Sequence, residues 1–353
     1  MAAVTLTDVG RRAGVSLATA SRVINGSYRV PAEAIAKKVR AAAEELGYVA
    51  NAQAQALARS ATGLIGLVVH DIADPYFFTI TRGAQLVARE HGSQVLLAGA
   101  EREERAELDA VAAFVAYRTK AIILAGSRRQ QTDDLLAREL GRYITNGGRV
   151  VTLGKSTIPG AEFLEVGNRQ GARQLAAALI GRGITRFAIL SGPPDLNTAR
   201  DRVAGYQEAL SAAGLSPLAV INGDFNSQGG HASALRCWKQ LGVRTRTAKA
   251  ATSKSAKGQK TDHRDPVCLL AVNDVMALGA ITAMRSLGLS VPGDVQVAGF
   301  DDIPTLRDYA PALTTFRLPL ELMGKKAIEM ALAAEPTGPV HVDGEVMLRA
   351  SAG

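Results

Sequence analysis

The chain has 353 residues, 47% of them hydrophobic and 21% charged, with a formal net charge of +8. That length exceeds one ordinary domain, and the balance is globular, which excludes a fibrous or wholly disordered chain. No apolar run approaches the roughly 18 residues that a membrane span needs, and Cys237 and Cys268 stand apart without metal-ligand spacing, as reduced core thiols. The charge is unevenly spread: eight Lys and Arg face four Asp and Glu within residues 1–60, and seven face one within residues 244–264. A basic head on a near-neutral body points to one polyanion-binding end. The segment from Met1 to Thr5 has no basic stretch followed by an apolar one, so no secretory signal is read and a cytoplasmic address is expected.

Residues 1–47 read as three short helices with no strand. Thr5 followed by Asp8 fits a helix start, and Leu6, Val9 and Ala13 then share one face. Gly14 suits a helix-ending turn, Val15 plugs the corner, and Ser16 is a good N-cap for a second helix whose inward face is Ala20, Val23 and Ile24. Two short helices joined through a Gly-containing turn make a helix-turn-helix. Its second helix presents Leu17, Ala18, Ser21, Arg22 and Asn25 outward, as a recognition helix in the major groove requires. Hydroxyls near helix ends suit phosphates, and Arg22 can fork onto guanine. The plain alternative is a three-helix bundle with a polar face. Residues 48–62, rich in Ala and Gln, read as a linker.

From Gly63 onward, short apolar runs alternate with amphipathic stretches. The strands expected are Leu64–Val69, Val95–Ala98, Ala121–Leu124, Val150–Leu153, Phe187–Leu190, Val267–Val272 and Val295–Phe300. Between them lie helical stretches at Phe77–His91, Gln170–Ile180, Arg200–Ala213, Val275–Leu287 and Leu320–Ala333. This order argues a doubly wound α/β core, and residues 63–353 are enough for two similar subdomains with a cleft between them. We expect them at 63–183 with 319–340, and at 184–318 with 341–353. Residues 244–265 hold almost no large apolar side chain and read as a disordered basic insertion.

Polar and aromatic residues follow the apolar strands, where open α/β sheets bind ligands. Arg202 can bind a hydroxyl pair or a carboxylate, Asn273 donates and accepts, Asp301 accepts, and Tyr76, Phe77 and Phe225 offer flat faces. Plain alternatives stand beside these: Phe77 in a core, Asp301 as a helix cap, Arg202 in a structural ion pair. The five histidines are scattered, and no phosphate loop, nucleophile elbow or metal cluster is read, so neither an enzyme nor a cofactor is expected.

Val4, Thr5, Leu6, Asp8, Val9, Ala13, Gly14, Val15, Ser16, Thr19, Ser21, Arg22, Val23 and Asn25 together resemble the headpiece of the lactose/galactose repressor family. The resemblance implies that Leu17, Ala18 and Arg22 read bases, and that Thr5, Ser16, Thr19, Ser21 and Asn25 grip phosphates; Arg29 is a further DNA-contact candidate. Gly47 to Leu57 is similar to the family's hinge, which implies a helix at Asn51 that forms on DNA and a minor-groove wedge at Leu57. Here Ala50 and Gln55 stand where the family usually has proline and arginine.

The core resembles the same family through Asp74 to Phe77, Asn197 to Tyr206, Gly223 to Phe225, Ala271 to Gly279 and Val297 to Asp302. That implies a periplasmic-binding-protein-like fold and a cleft that takes a sugar or purine at Tyr76, Phe77, Asn168, Thr198, Arg202, Phe225, Asn273 and Asp301. Gly167 replaces an acid common in the family. The expected function is a transcription regulator, acting as a repressor, whose two heads bind a pseudo-palindromic operator and whose effector, a sugar, changes the angle between the core subdomains. No heptad extension follows Arg349, so a homodimer is expected. A solute-binding protein, or a regulator with an unused pocket, are the rival readings.

Overall fold

The structure is a computed structural model that describes residues 4–25, 31–49, 63–126, 129, 134–242 and 265–352. Arg29, Asn51, Leu57, almost the whole expected hinge and nearly all of the basic insertion lie outside the described residues.

The head is three helices, α1 (Leu6–Ala13), α2 (Leu17–Asn25) and α3 (Glu33–Glu45). Thr5 and Asp8 close the start of α1 reciprocally, with the Thr5 N–H donating to Asp8 Oδ2 at 3.0 Å. Gly14 ends α1 in the left-handed region, at φ 68°, so that the chain can reverse within two residues. Val9, Ala20, Val39, Ala42 and Ala43 form the small core, walled by Leu6, Ala13, Val15, Val23 and Ile24. This is the inward face expected from the spacing. Arg12 of α1 pairs with Glu45 of α3 at 2.7 Å.

The core begins with six parallel strands. They are β1 (Leu64–Val69), β2 (Gln94–Gly99), β3 (Ala121–Ala125), β4 (Arg149–Leu153), β5 (Glu162–Val166) and β11 (Val340–Val342), in the order β11-β5-β4-β3-β1-β2. Helices α4 (Pro75–Glu90) and α11 (Leu320–Leu332) pack against each other on one face, and α5 (Glu104–Ala116) and α6 (Asp134–Thr145) cover the other. The interior strands β1 and β3 are apolar and buried almost throughout, which is why they read clearly as continuous runs.

The second sheet has four parallel strands, β6 (Phe187–Ser191), β7 (Val220–Asn222), β8 (Val267–Ala271) and β9 (Val295–Ala298), in the order β7-β6-β8-β9. Around it pack two helix pairs, α7 (Asn168–Gly181) with α8 (Asn197–Ala212), and α9 (Ser227–Gln240) with α10 (Asp274–Ser286). A small antiparallel ribbon of β10 (Thr315–Arg317) and β12 (Glu345–Met347) completes the fold.

Two expected boundaries are corrected. Helix α7 packs on α8, β10 and β12, so its residues sit with the second sheet, and the first crossing lies near Gly167 instead of residue 183. His341 and Val342 pair with Glu165 and Val166, so they sit with the first sheet instead of the second. The chain therefore crosses between the sheets near Gly167, near Leu318 and near Gly344. These crossings lie side by side: the Gly167 N–H reaches Val342 O at 3.4 Å, and a Cβ on Gly344 would strike the Arg317 carbonyl.

Five strands had no clear sequence signal. Strand β5 alternates charged and apolar residues, and β7, β10, β11 and β12 are each three residues long. Among the described residues no helix is long and apolar enough to cross a membrane.

Where α4 crosses α11, a Cβ on Gly83 would run into the Glu321 carbonyl, and one on Gly324 into the Ile80 carbonyl. Backbone atoms cannot yield as a flexible side chain can. Gly324→Ala is therefore expected to destabilise the core by about 1–3 kcal/mol, an overpacking cost. A thermal melt checks this, and an unchanged melting temperature would show that the crossing has slack.

Candidate nucleic-acid interface and interdomain cleft

The second head helix exposes Leu17, Ala18 and Arg22, with Leu17 retaining 51% of its surface. This face thus offers an apolar side chain and a forked cation side by side, both open to a partner. Around this face the polar residues hold one another. Ser16 Oγ accepts the Thr19 N–H at 3.1 Å and lies 2.9 Å from Thr19 Oγ1, and Asn25 Nδ2 donates to Ser21 Oγ at 2.9 Å. Thr5 Oγ1 donates to Asp8 Oδ2 at 2.6 Å, and this bond holds the Asp8 carboxyl below its ordinary range. The helix starts at Thr5 and Ser16 thus combine hydroxyls with free backbone N–H groups, a chemistry that suits phosphate oxygens.

Arg202, on the first turns of α8, is 2% exposed. Its Nε donates to Asn168 Oδ1 at 2.8 Å, Nη1 to the Val272 carbonyl at 2.6 Å and Nη2 to Asp301 Oδ1 at 2.8 Å. The guanidinium also lies 3.9 Å from the centroid of Phe300. The alternative of a structural ion pair for Arg202 is therefore realised. Burial raises the Asp301 carboxyl well above its ordinary range, with Arg202 pulling it back. Asn273 caps α10 by accepting the Met276 N–H at 2.9 Å. These residues line the C-terminal edge of the second sheet.

The first subdomain answers with Tyr76 and Phe77. Tyr76 stands close enough to Asp301 and Arg202 for their charges to act on its hydroxyl, which burial above all keeps protonated. Phe77 is 4% exposed and sits in the core, edge-on to His70 and to Tyr76. Of the expected ligand residues, the structure thus brings Tyr76, Asn168, Arg202 and Asp301 together, with Asn273 beside them.

Two cavities flank this group. One of about 450 Å3 is lined by Asn168 and Thr198 together with Lys155, Glu165, Asp201 and His341. The other, of about 580 Å3, is lined from the first subdomain by His70, Asp71, Asp74, Glu101 and Arg102, and from the second by Phe225 to Gln228. Phe225 does not present an open face to this space. Its ring packs on Gly192 on one side, and the Arg102 guanidinium lies over it at 5.0 Å.

Arg102, Asp274 and Asp302 were not among the expected site residues. Arg102 follows the C-terminal end of β2, where the strand-end rule would have found it. Burial draws its guanidinium below the ordinary range. Asp274 is wholly buried, accepts from Thr315 Oγ1 at 2.6 Å and the Ile303 N–H at 2.9 Å, and is pushed up to about 6 by burial. Burial would raise Asp302 too, but bonds from Arg349 and Arg317 bring it below the ordinary carboxylate range. Asp301 and Asp302 both take positive φ, 118° and 55°, which turns the two carboxylates to different arginines.

Residues 5–51 match the family model of bacterial regulatory proteins of the lacI family, and residues 176–351 match that of a periplasmic binding protein-like domain. The chain is 31% identical over 342 residues to the HTH-type transcriptional regulator GalR of Escherichia coli (strain K12), covering 95% of this chain and 90% of that protein. Among solved structures it is similar to the lac repressor dimer bound to operator and the anti-inducer ONPF, with 27% identity, a TM-score of 0.79 and 99% of each chain covered. It is also similar to a transcriptional regulator CelR–cellobiose complex, with 27% identity, a TM-score of 0.67, and 99% of this chain and 100% of that one covered.

Arg202→Ala would strand Asp301 and the Val272 carbonyl in the interior and leave half-buried Asn168 without this donor. The expected cost is about 3–5 kcal/mol, the range for breaking a buried pair from one side. Arg202→Ala combined with Asp301→Ala should cost clearly less than the two single changes added. Urea unfolding of the four proteins measures this, and additivity within about 0.5 kcal/mol would show that the pair is not an energetic unit.

Proposed function

The chain belongs to the lacI family of bacterial regulatory proteins, a DNA-binding transcription regulator by that membership, and we propose that a small molecule held between its two core subdomains sets its grip on an operator. The observation that carries the DNA half is the exposed Leu17, Ala18 and Arg22 face on a helix locked against α1 and α3. Arg22 forks onto a guanine edge, while Leu17 and Ala18 make apolar base contacts. Thr5, Ser16, Thr19, Ser21 and Asn25 hold phosphates and so fix the register. Arg29, Asn51 and Leu57 complete the contacts, with residues 48–62 as the hinge and residues 1–47 as the head.

The effector half rests on the cleft. Tyr76 from one side and Asn168, Thr198, Arg202, Phe225, Asn273 and Asp301 from the other surround the ligand, with Phe77 backing Tyr76 from the core. The lac repressor in the similar structure is bound to operator and an anti-inducer, and CelR to cellobiose. By analogy the effector here is a sugar, the output is repression, and two copies of the chain bind the two halves of a pseudo-palindrome. Ligand seated between the subdomains favours one angle between them, and the hinges order or melt in response. The protein works in the cytoplasm, without a cofactor and without catalysis.

Selection of operator sequence from a random duplex pool, followed by fluorescence anisotropy at fixed salt with and without sugars, tests both halves. A sugar at ~100 times its dissociation constant should stabilise the folded chain by roughly 2.7 kcal/mol. Arg22→Ala should cost about 1–3 kcal/mol on the selected operator and much less on unrelated duplex. Equal losses on both would remove Arg22 from base reading.

A further inference from the structure

Arg102 is held in an unusual way. Its Nη2 donates to the Phe225 carbonyl at 3.3 Å, across the cleft, and its guanidinium covers the Phe225 ring. Its Nη1 is buried and meets no hydrogen-bond acceptor among the described residues. A buried donor on a charged group that makes no bond is costly, and native structures keep such groups where something else completes them. The backbone beneath is also in a sparse region, with Glu101 at φ 45° and Arg102 at φ 64°. Glu101 and Arg102 are the central residues of a turn closed by the Glu103 N–H on the Ala100 carbonyl at 2.7 Å, and this turn carries the Arg102 side chain to the cavity.

The surroundings restrict what can complete it. The 580 Å3 cavity carries Asp71, Asp74 and Glu101 against the single charge of Arg102. A phosphate or carboxylate entering there would meet three carboxylates for one guanidinium. A hydroxyl is different, because it accepts from Arg102 with its lone pair and donates its own proton to a carboxylate. Asp74 is placed for that second bond: its Oδ1 accepts the Tyr76 N–H at 2.9 Å, which fixes the carboxylate at the cavity wall.

We infer that the cavity around Arg102 is a subsite for an uncharged, hydroxyl-bearing end of the effector, with Arg102 Nη1 as donor and Asp74 as acceptor. The inference rests on the effector reading above and narrows it to neutral saccharides, excluding sugar phosphates and uronates. Arg102 comes from the first subdomain and Phe225 from the second, so a ligand that engages Nη1 touches a group already spanning the cleft. Phe225 is then a positioning residue that holds the guanidinium, instead of a platform under the sugar.

The test uses the full chain in calorimetric titrations with D-glucose, D-galactose, D-ribose and cellobiose, and with glucose 6-phosphate and D-galacturonate as charged counterparts. At least one neutral probe should bind, at least tenfold more tightly than either charged one. Arg102→Ala should weaken that probe about 10- to 100-fold, the range for losing a bond to a charged group. Its melting temperature without ligand should hold or rise, since a buried unpaired donor is removed. Arg102→Lys keeps the charge but not the forked donor and should lose affinity by an intermediate factor; it also serves if the alanine variant does not fold. Affinity within threefold of the parent for both variants, or tighter binding of a charged probe, overturns the inference and leaves the effector reading standing. Binding of none of the probes, with no release of operator, overturns both.

Discussion

The guanidinium of Arg202 is the constraint around which the core is arranged. A charge that is 2% exposed can persist only if each nitrogen finds an acceptor, and Arg202 draws those acceptors from three places: the start of α7, the end of β8 and the turn after β9. Moving any one of them would leave a buried donor unmade. The segment after β9 accordingly accepts positive φ at two adjacent aspartates, and the neighbouring Asp302 is held from outside by Arg317 and Arg349. The same bonds that fix the edge of the second sheet hold Asp301 and Asn168 in place. The ligand contacts proposed for Asp301 and Asn168 therefore fall on atoms that already hold the fold.

A comparable economy holds in the head. Thr5 and Ser16 start their helices with the same hydroxyls that are proposed to hold phosphates. A cap must be short, polar and at a helix start, and a phosphate contact has the same requirements. The apolar residues of α2 divide cleanly, with Ala20, Val23 and Ile24 inward and Leu17 and Ala18 outward, so the helix docks in one orientation.

Local chemistry made much of this legible before any coordinates. The capping pair at Thr5 and Asp8, the turn at Gly14 and the inward face of α2 follow from spacing alone, as do the buried strands β1, β3, β6 and β8. What stayed hidden depends on distant partners. Strand β5 has charged residues that look unfit for a sheet until Arg149, Lys155 and His341 are seen pairing with them. Helix α7 has no sequence mark assigning it to the second sheet; that choice is made by α8, whose Gly205 allows the Arg169 carbonyl to approach closely. Arg202 was recognised as a site residue, but that its partner would be Asp301, 99 positions away, required the fold. Arg102 looks like mere charged surface in the sequence; its place after the end of β2 is the one local sign, and the burial of Nη1 needs the fold.

The three crossings near Gly167, Leu318 and Gly344 run beside one another at one side of the cleft. A single tether between two bodies leaves them free to swing, twist and slide. Three adjacent tethers, joined to each other by backbone contacts, resist sliding and twisting and leave rotation about the line they share as the soft coordinate. The core is then mechanically a pair of jaws on one pin. A small rotation about the pin becomes a larger displacement at the far lips.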